Sequence, residues 1–159
     1  MMNFWVLQGW LYEALFALVP HRRLVEETAE RICQAEGTVL DAGCGTGRLG
    51  QWSDANVYGI DFSESMLRTA RRRGQQVSPA DLDKPLPFGD GMFSKVVSLN
   101  VLYAVPRPGF TLKELSRVLA PNGELILATP VSSRLMPLVV EHLRTASAKQ
   151  MAVSVLNLP

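Results

Sequence analysis

The sequence contains little cysteine and histidine. Cys33 and Cys44 are the only two cysteines, and two histidines complete the set of good transition-metal ligands. The cysteines lack partners at zinc-site spacing, and two thiols cannot form a disulfide framework. This usage predicts no metal site and two reduced thiols, as is typical of a cytoplasmic protein.

Neither sign of charge is in excess. Sixteen Lys and Arg stand against fifteen Asp and Glu, which leaves a formal net charge of +1. A protein that neutralises a phosphate backbone needs a broad basic surface, which this balance does not supply. The composition therefore predicts no nucleic-acid partner.

Long apolar runs are also missing, and the oiliest stretch is residues 4–19. It is shorter than the roughly 20 apolar residues of a spanning helix, and Gln8 and Glu13 interrupt it. It also lacks the basic start and cleavage site of a secretion signal. We therefore expect no transmembrane segment. The stretch should pack against its own domain, cover an apolar pocket or rest peripherally on a membrane surface.

Beyond residue 37, short apolar runs alternate with amphipathic stretches. The runs predict strands at residues 38–43, 57–61, 75–78, 95–100 and 124–129. Helical patterns precede or separate them at residues 21–35, 46–52, 63–73 and 111–119. This alternation is typical of an α/β fold of the Rossmann-like, doubly wound kind, a mostly parallel sheet with helices on both faces.

The most informative segment is residues 39–50, VLDAGCGTGRLG, where a strand leads into alternating glycines and then into a helix. Glycine can take positive φ and lets a ligand approach the main chain closely. Ligands of open α/β sheets bind at this carboxyl end of the strands. The segment therefore predicts a ligand-binding loop.

Two ligands compete for this loop. Gly45, Gly47 and Gly50 match the dinucleotide fingerprint G-x-G-x-x-G, with Asp61 as the ribose ligand, so an NAD-dependent oxidoreductase is one alternative. The carboxylate of Asp41, however, would repel a pyrophosphate and attract a cationic ligand. Charge therefore favours a cationic ligand, such as one with an ammonium group.

Asp41 followed by Gly43, Gly45 and Gly47 resembles the first motif of the class I S-adenosylmethionine-dependent methyltransferases, an acid followed by G-x-G-x-G. Three later stretches resemble the same family in the same order. They are residues 58–67 (YGIDFSESML), 80–93, and 114–123 (ELSRVLAPNG), the last resembling the family's E-x-x-R-V-L-x-P-G-G.

This resemblance implies S-adenosylmethionine as the cofactor. By it, Asp61 would accept from both ribose hydroxyls, and Asp81 would accept from the adenine amino group. The Leu82 backbone would contact the adenine ring, and Asn100 would line the part of the site that holds the methionine end of the cofactor. The implied cofactor-binding residues are Asp41, Gly43, Cys44, Gly45, Gly47, Asp61, Phe62, Met66, Asp81, Leu82 and Asn100. No catalytic residue is identified.

The end of the sequence departs from that family. The family sheet has seven strands, of which the last two form a hairpin, whereas residues 151–158 have room for one strand after a helical stretch at 135–149. The hairpin is thus expected to be incomplete, in a chain that is short by nature or truncated. An unpaired edge there predicts self-association through residues 151–159, or a disordered tail.

The sequence thus predicts one methyltransferase domain over residues 1–159. It would comprise an N-terminal helical cap (1–36), a cofactor-binding core (37–130) and a C-terminal helix and last strand (131–159). The expected acceptor is a small molecule, with a lipophilic one favoured, because Tyr12, Leu15 and Phe16 resemble the branch acting on quinone precursors and phospholipid head groups. An NAD-dependent oxidoreductase and a non-catalytic adenosylmethionine-binding module are the alternatives.

Overall fold

A computed structural model describes residues 19–128 and 152–156. Residues 4–18 of the apolar stretch near the start of the chain and the helical stretch predicted at 135–149 lie outside the described residues. In chain order the elements are α1 (Val19–Ile32), β1 (Thr38–Ala42), α2 (Arg48–Gln51), β2 (Asn56–Asp61), α3 (Glu64–Arg72), β3 (Gln76–Pro79), β4 (Phe93–Leu99), α4 (Pro108–Val118), β5 (Leu119–Ala128) and β6 (Ala152–Leu156).

The described strands form one six-stranded sheet in the order β3-β2-β1-β4-β5-β6. Every pair of neighbours in it runs parallel, so the carboxyl ends of all six strands lie at one edge. The order reverses between β1 and β4, which is where open α/β sheets leave a crevice for a ligand. The predicted fold class is confirmed.

The core lies on both faces of this sheet. Leu40 and Val96 belong to a buried cluster with the apolar side of α4. Their chain neighbours Val39 and Val97 belong to a second cluster, which includes Ile32 of α1. Successive strand residues point to opposite faces, so both faces of β1 and β4 are buried. This explains the nearly continuous apolar runs by which these strands were predicted.

Element boundaries differ from the predicted ones where turn chemistry decides. Helix α4 begins at Pro108, ahead of the predicted residue 111, because the fixed φ of proline suits the first helical position. Strand β5 begins at Leu119, ahead of residue 124, and its register with β4 shifts between Phe93 and Lys95. The left-handed φ of 63° at Asn122 explains why the predicted turn appears as an irregularity within the strand.

Candidate cofactor site

The predicted ligand loop lies at the carboxyl edge of the sheet, between β1 and α2. Asp41 stands near the end of β1, and Asp61 ends the neighbouring strand β2. Asn100 follows β4, the neighbour of β1 on the other side. Parallel pairing thus brings three residues that are far apart in the sequence to one edge of the sheet.

Glycine is required in this loop for two reasons. Gly43, Gly45 and Gly47 have φ values of 85°, 53° and 75°, a region that other residues rarely adopt. In addition, a Cβ at Gly43 would lie 2.4 Å from Cγ2 of Val101, and one at Gly47 would lie 2.8 Å from Cγ of Gln75. The glycines therefore let the main chain turn tightly beneath the crevice.

Asp61 connects the glycine loop to the end of β2. Its Oδ2 accepts a 2.9 Å hydrogen bond from the Gly45 N–H, and its Oδ1 accepts a 2.8 Å bond from the Ser63 N–H. Burial raises the pKa of this carboxyl, while these backbone N–H groups act in the opposite direction. A carboxylate has about four acceptor sites. Asp61 thus keeps capacity for further donors, as a ribose diol would require.

Negative charge is concentrated under the loop. Asp41 is buried, and burial followed by the charge of Asp61 raises its pKa to about 7. Burial, together with both carboxylates, also raises the pKa of the Cys44 thiol, which therefore stays protonated and is a poor nucleophile. Within residues 19–128, no Lys or Arg forms an ion pair with Asp41 or Asp61. A cationic ligand would supply the missing charge.

Polar groups at the loop also fit a ligand with hydrogen-bonding groups. The Thr46 side chain is buried, and its hydroxyl oxygen has no hydrogen-bond partner in the described part of the chain. Asn100 has a left-handed φ of 57°, and its N–H donates to the Ala128 carbonyl over 2.7 Å. The Thr46 hydroxyl, the two buried acids without a cationic partner and the glycine loop fit the sulfonium, ammonium and ribose groups of S-adenosylmethionine.

The residues predicted to meet the base lie beside β2 rather than in the loop. The Ala80 N–H donates to the Asp61 carbonyl over 3.0 Å, which places the end of β3 next to the proposed ribose ligand. Leu82 is buried, whereas Asp81 is exposed, and Lys84 Nζ lies 3.3 Å from its Oδ2. Phe62 is 57% exposed at the same edge.

Met66 differs from the other predicted ligands. It is buried on α3 beside Leu67 and Ala70 and contributes to the side of that helix which packs inward. Only its position after Asp61 relates it to the crevice.

Sequence reasoning missed one contact of the loop. Residues 71–73 are three successive arginines, a pattern usually explained by the helix C-terminus or by solvent. In the structure, however, Arg73 Nη1 donates to the Thr46 carbonyl over 2.8 Å. These two residues are 27 positions apart, and no periodic signal in the sequence predicts their contact, so only the tertiary fold shows that Arg73 supports the glycine loop.

Comparison with known proteins identifies the class. Residues 40–127 match the family described as "Methyltransferase domain". The matched range contains the glycine loop, Asp61 and the end of β3. The chain belongs to this family, and its resemblance to the class I S-adenosylmethionine-dependent methyltransferases is confirmed. The comparisons support methyl transfer rather than NAD chemistry.

Individual relatives differ in what they act on. The chain is 37% identical over 93 residues to "Probable tRNA methyltransferase 9B" of Mus musculus, covering 56% of this chain and 21% of that protein. It is 32% identical over 129 residues to "Phosphatidylethanolamine N-methyltransferase" of Cereibacter sphaeroides, and the alignment covers 74% of this chain and 62% of that protein. The chain therefore spans less than two thirds of either relative.

A solved structure supports the same class. The S-adenosylmethionine-dependent methyltransferase of Thermotoga maritima superposes with a TM-score of 0.62 at 32% sequence identity, covering 73% of this chain and 55% of that one. Among the described residues, no helix is long and apolar enough to cross a membrane.

Proposed function

We propose that this protein transfers the methyl group of S-adenosylmethionine to a small, lipophilic acceptor. One observation carries the acceptor class: Tyr103 is 49% exposed, four residues beyond the end of β4, at the carboxyl edge that holds the glycine loop. An exposed ring beside the crevice offers an apolar face and a polar tip to an incoming molecule. The near-neutral charge supports a small molecule over a nucleic acid.

The relatives support this acceptor class in part. By their names, one acts on phosphatidylethanolamine and another on tRNA. The first aligns over the larger share of this chain. A transfer RNA acceptor is the second candidate, and it would require a basic surface that the balance of sixteen basic and fifteen acidic residues does not favour.

We assign the cofactor as the sequence resemblance implies. Asp61 accepts from the ribose hydroxyls, Asp41 faces the cationic end, and Asp81 with the Leu82 backbone meets the base. Both carboxylates are buried, and neither forms an ion pair with a Lys or Arg of residues 19–128, which supports this assignment. When bound, S-adenosylmethionine supplies a methyl group already activated by the sulfonium. The protein then needs to align the acceptor and exclude water.

The ribose assignment is tested by Asp61→Ala. The change removes the acceptor for the diol and should weaken adenosylmethionine binding by about 1–3 kcal/mol, measured by titration calorimetry. The matched control is Asp54→Ala, which removes an exposed carboxylate in the turn before β2 and should bind as the wild type does. Wild-type affinity in Asp61→Ala, in a variant shown to be folded, would refute the ribose assignment.

The acceptor class is tested with the full chain and a panel of quinols, phenols, lipid amines and unmodified tRNA. We expect methylation of at least one lipophilic small molecule. Tyr103→Ala should raise the KM for that acceptor and leave the KM for adenosylmethionine unchanged. Met92→Ala is the control, because Met92 is 57% exposed but lies at the opposite end of β4. Methylation of tRNA alone would refute the proposal.

A further inference from the structure

One face of α4 holds the connection between β3 and β4. Thr111, Glu114 and Arg117 follow one another at spacings of three residues along one side of α4, and Arg107, four residues before Thr111, caps the start of this helix. Each contacts the connection, residues 80–92. Thr111 and Arg107 reach its first part, and Glu114 and Arg117 reach its last part.

Thr111 holds a single peptide group of this connection. Its Oγ1 lies 3.0 Å from the Leu82 carbonyl oxygen in a buried contact, and the alternative contact, to the Arg107 carbonyl, is longer at 3.3 Å. The Leu82 carbonyl shares its peptide plane with the N–H of Asp83. Fixing the oxygen at Thr111 therefore fixes the direction of that N–H.

The same N–H orients the carboxylate of Asp81. Asp83 N–H donates to Oδ1 of Asp81 over 3.0 Å. The Asp83 carboxylate is itself held, because Arg107 Nε lies 3.1 Å from both of its oxygens and the guanidinium also donates to its carbonyl. A continuous path of hydrogen bonds thus runs from Thr111, through one planar peptide, to the exposed carboxylate of Asp81.

We propose that Thr111 is a positioning residue for the cofactor base. It orients the Leu82–Asp83 peptide and, through it, the Asp81 carboxylate that accepts from the adenine amino group. This inference rests on the proposed assignment of Asp81. The buried hydroxyl of Thr111 carries this role, because valine has the same shape and would fill the space but could not donate a hydrogen bond to the Leu82 carbonyl.

The test uses two ligands that differ at the recognised group. S-adenosylhomocysteine carries the 6-amino group, and S-inosylhomocysteine carries a carbonyl there. We expect the wild type to bind the adenosyl compound about tenfold more tightly, as is reasonable for one hydrogen bond to a charged acceptor. Thr111→Val should reduce this ratio at least about threefold, and Thr111→Ser, which keeps the hydroxyl, should restore it.

A matched control separates positioning from general stability. Glu114→Gln alters the contact to the Leu86 N–H one turn further along the same helix face and does not touch residues 81–83. It should lower the melting temperature and keep the wild-type ligand ratio. If Thr111→Val does not fold, Arg107→Gln is used instead, because its side chain is largely exposed and it reaches the same segment through Asp83.

The positioning role of Thr111 and the assignment of Asp81 to the adenine amino group can fail separately. If Asp81→Ala keeps the wild-type ratio, the base assignment of the proposed site is wrong and the inference falls with it. If Asp81→Ala abolishes the ratio while folded Thr111→Val keeps it, the site stands and the positioning role of Thr111 is refuted. A reduced ratio in Thr111→Val, restored in Thr111→Ser, supports the inference.

Discussion

The two loops that border the proposed cofactor crevice are built in different ways. The glycine loop, residues 43–47, depends on left-handed backbone geometry at its glycines and on contacts from the buried carboxylate of Asp61 and from Arg73. The connection between β3 and β4, residues 80–92, is held from outside by side chains of α4. The first has almost no space for substitution, whereas the second depends on contacts that can be removed singly.

This contrast separates two roles in cofactor binding. A loop that must come close to its ligand is expected to carry little side chain, and its conformation then has to come from backbone torsions. A loop that selects the base can be larger, provided that a neighbouring helix orients its peptide groups. We therefore expect changes in the glycine loop to abolish binding and changes in the second loop to alter selectivity.

The largest effect is expected for Gly43→Val. A β-branched residue at a φ of 85° is strained, and its Cβ would collide with Val101. We expect the free energy of unfolding to fall by roughly 2–6 kcal/mol, measured by urea denaturation, together with loss of adenosylhomocysteine binding.

The control for this change is Gly109→Ala, a glycine of α4 with open space at its Cβ. Its stability should be unchanged or raised by up to about 1 kcal/mol. An equal loss of unfolding free energy in both variants would show that Gly43 is no more constrained than an ordinary helical glycine.

An intermediate effect is expected from the protonation of Asp41. Its folded pKa of about 7 lies above the ordinary carboxyl value of 3.8. Between these values the folded chain holds a proton that the unfolded chain has released. Stability of the free protein should therefore fall as pH rises, by at most about 1.4 kcal/mol per pH unit.

Cofactor binding should depend on pH in the opposite direction, because a cation favours the ionised carboxylate. Affinity for adenosylmethionine should rise between about pH 5 and pH 8, as measured by calorimetry. Asp41→Asn should flatten both profiles, whereas Asp54→Asn should leave them as they are. A flat wild-type binding profile would contradict a cation next to Asp41.

The smallest effect on stability is expected at the last part of the connection between β3 and β4, where Arg117 contacts it. Arg117 donates to the Phe88 carbonyl and to Asp90 at 2.8 and 2.9 Å, and its hydrogen bonds lower the pKa of Glu114. Arg117→Gln should reduce the free energy of unfolding by about 1–3 kcal/mol and keep the preference for the adenosyl ligand. Arg23→Gln, which breaks an exposed pair with Glu27, should cost no more than about 0.5 kcal/mol.

Strand order alone would not have identified the ligand. The described order, β3-β2-β1-β4-β5-β6 with all neighbours parallel, is also that of the dinucleotide-binding fold. The single last strand predicted from residues 151–158 pairs parallel with β5 as β6, and the predicted self-association through residues 151–159 stays a prediction. Charge at the end of β1 and the family match separate the two ligands, because Asp41 would repel a pyrophosphate.

The local sequence by itself determined the fold class, the strands and the position of the glycine loop. Apolar runs, glycine spacing and the acids at strand ends are local signals, because each is recognised from residues that are neighbours in the sequence. The tertiary structure alone decided that Asp61 lies close enough to Asp41 for its charge to raise the pKa of Asp41. It also decided that Thr111 reaches the carbonyl of Leu82, 29 residues earlier. Such contacts depend on which helix face meets which loop, and that is settled only when the helices pack onto the sheet.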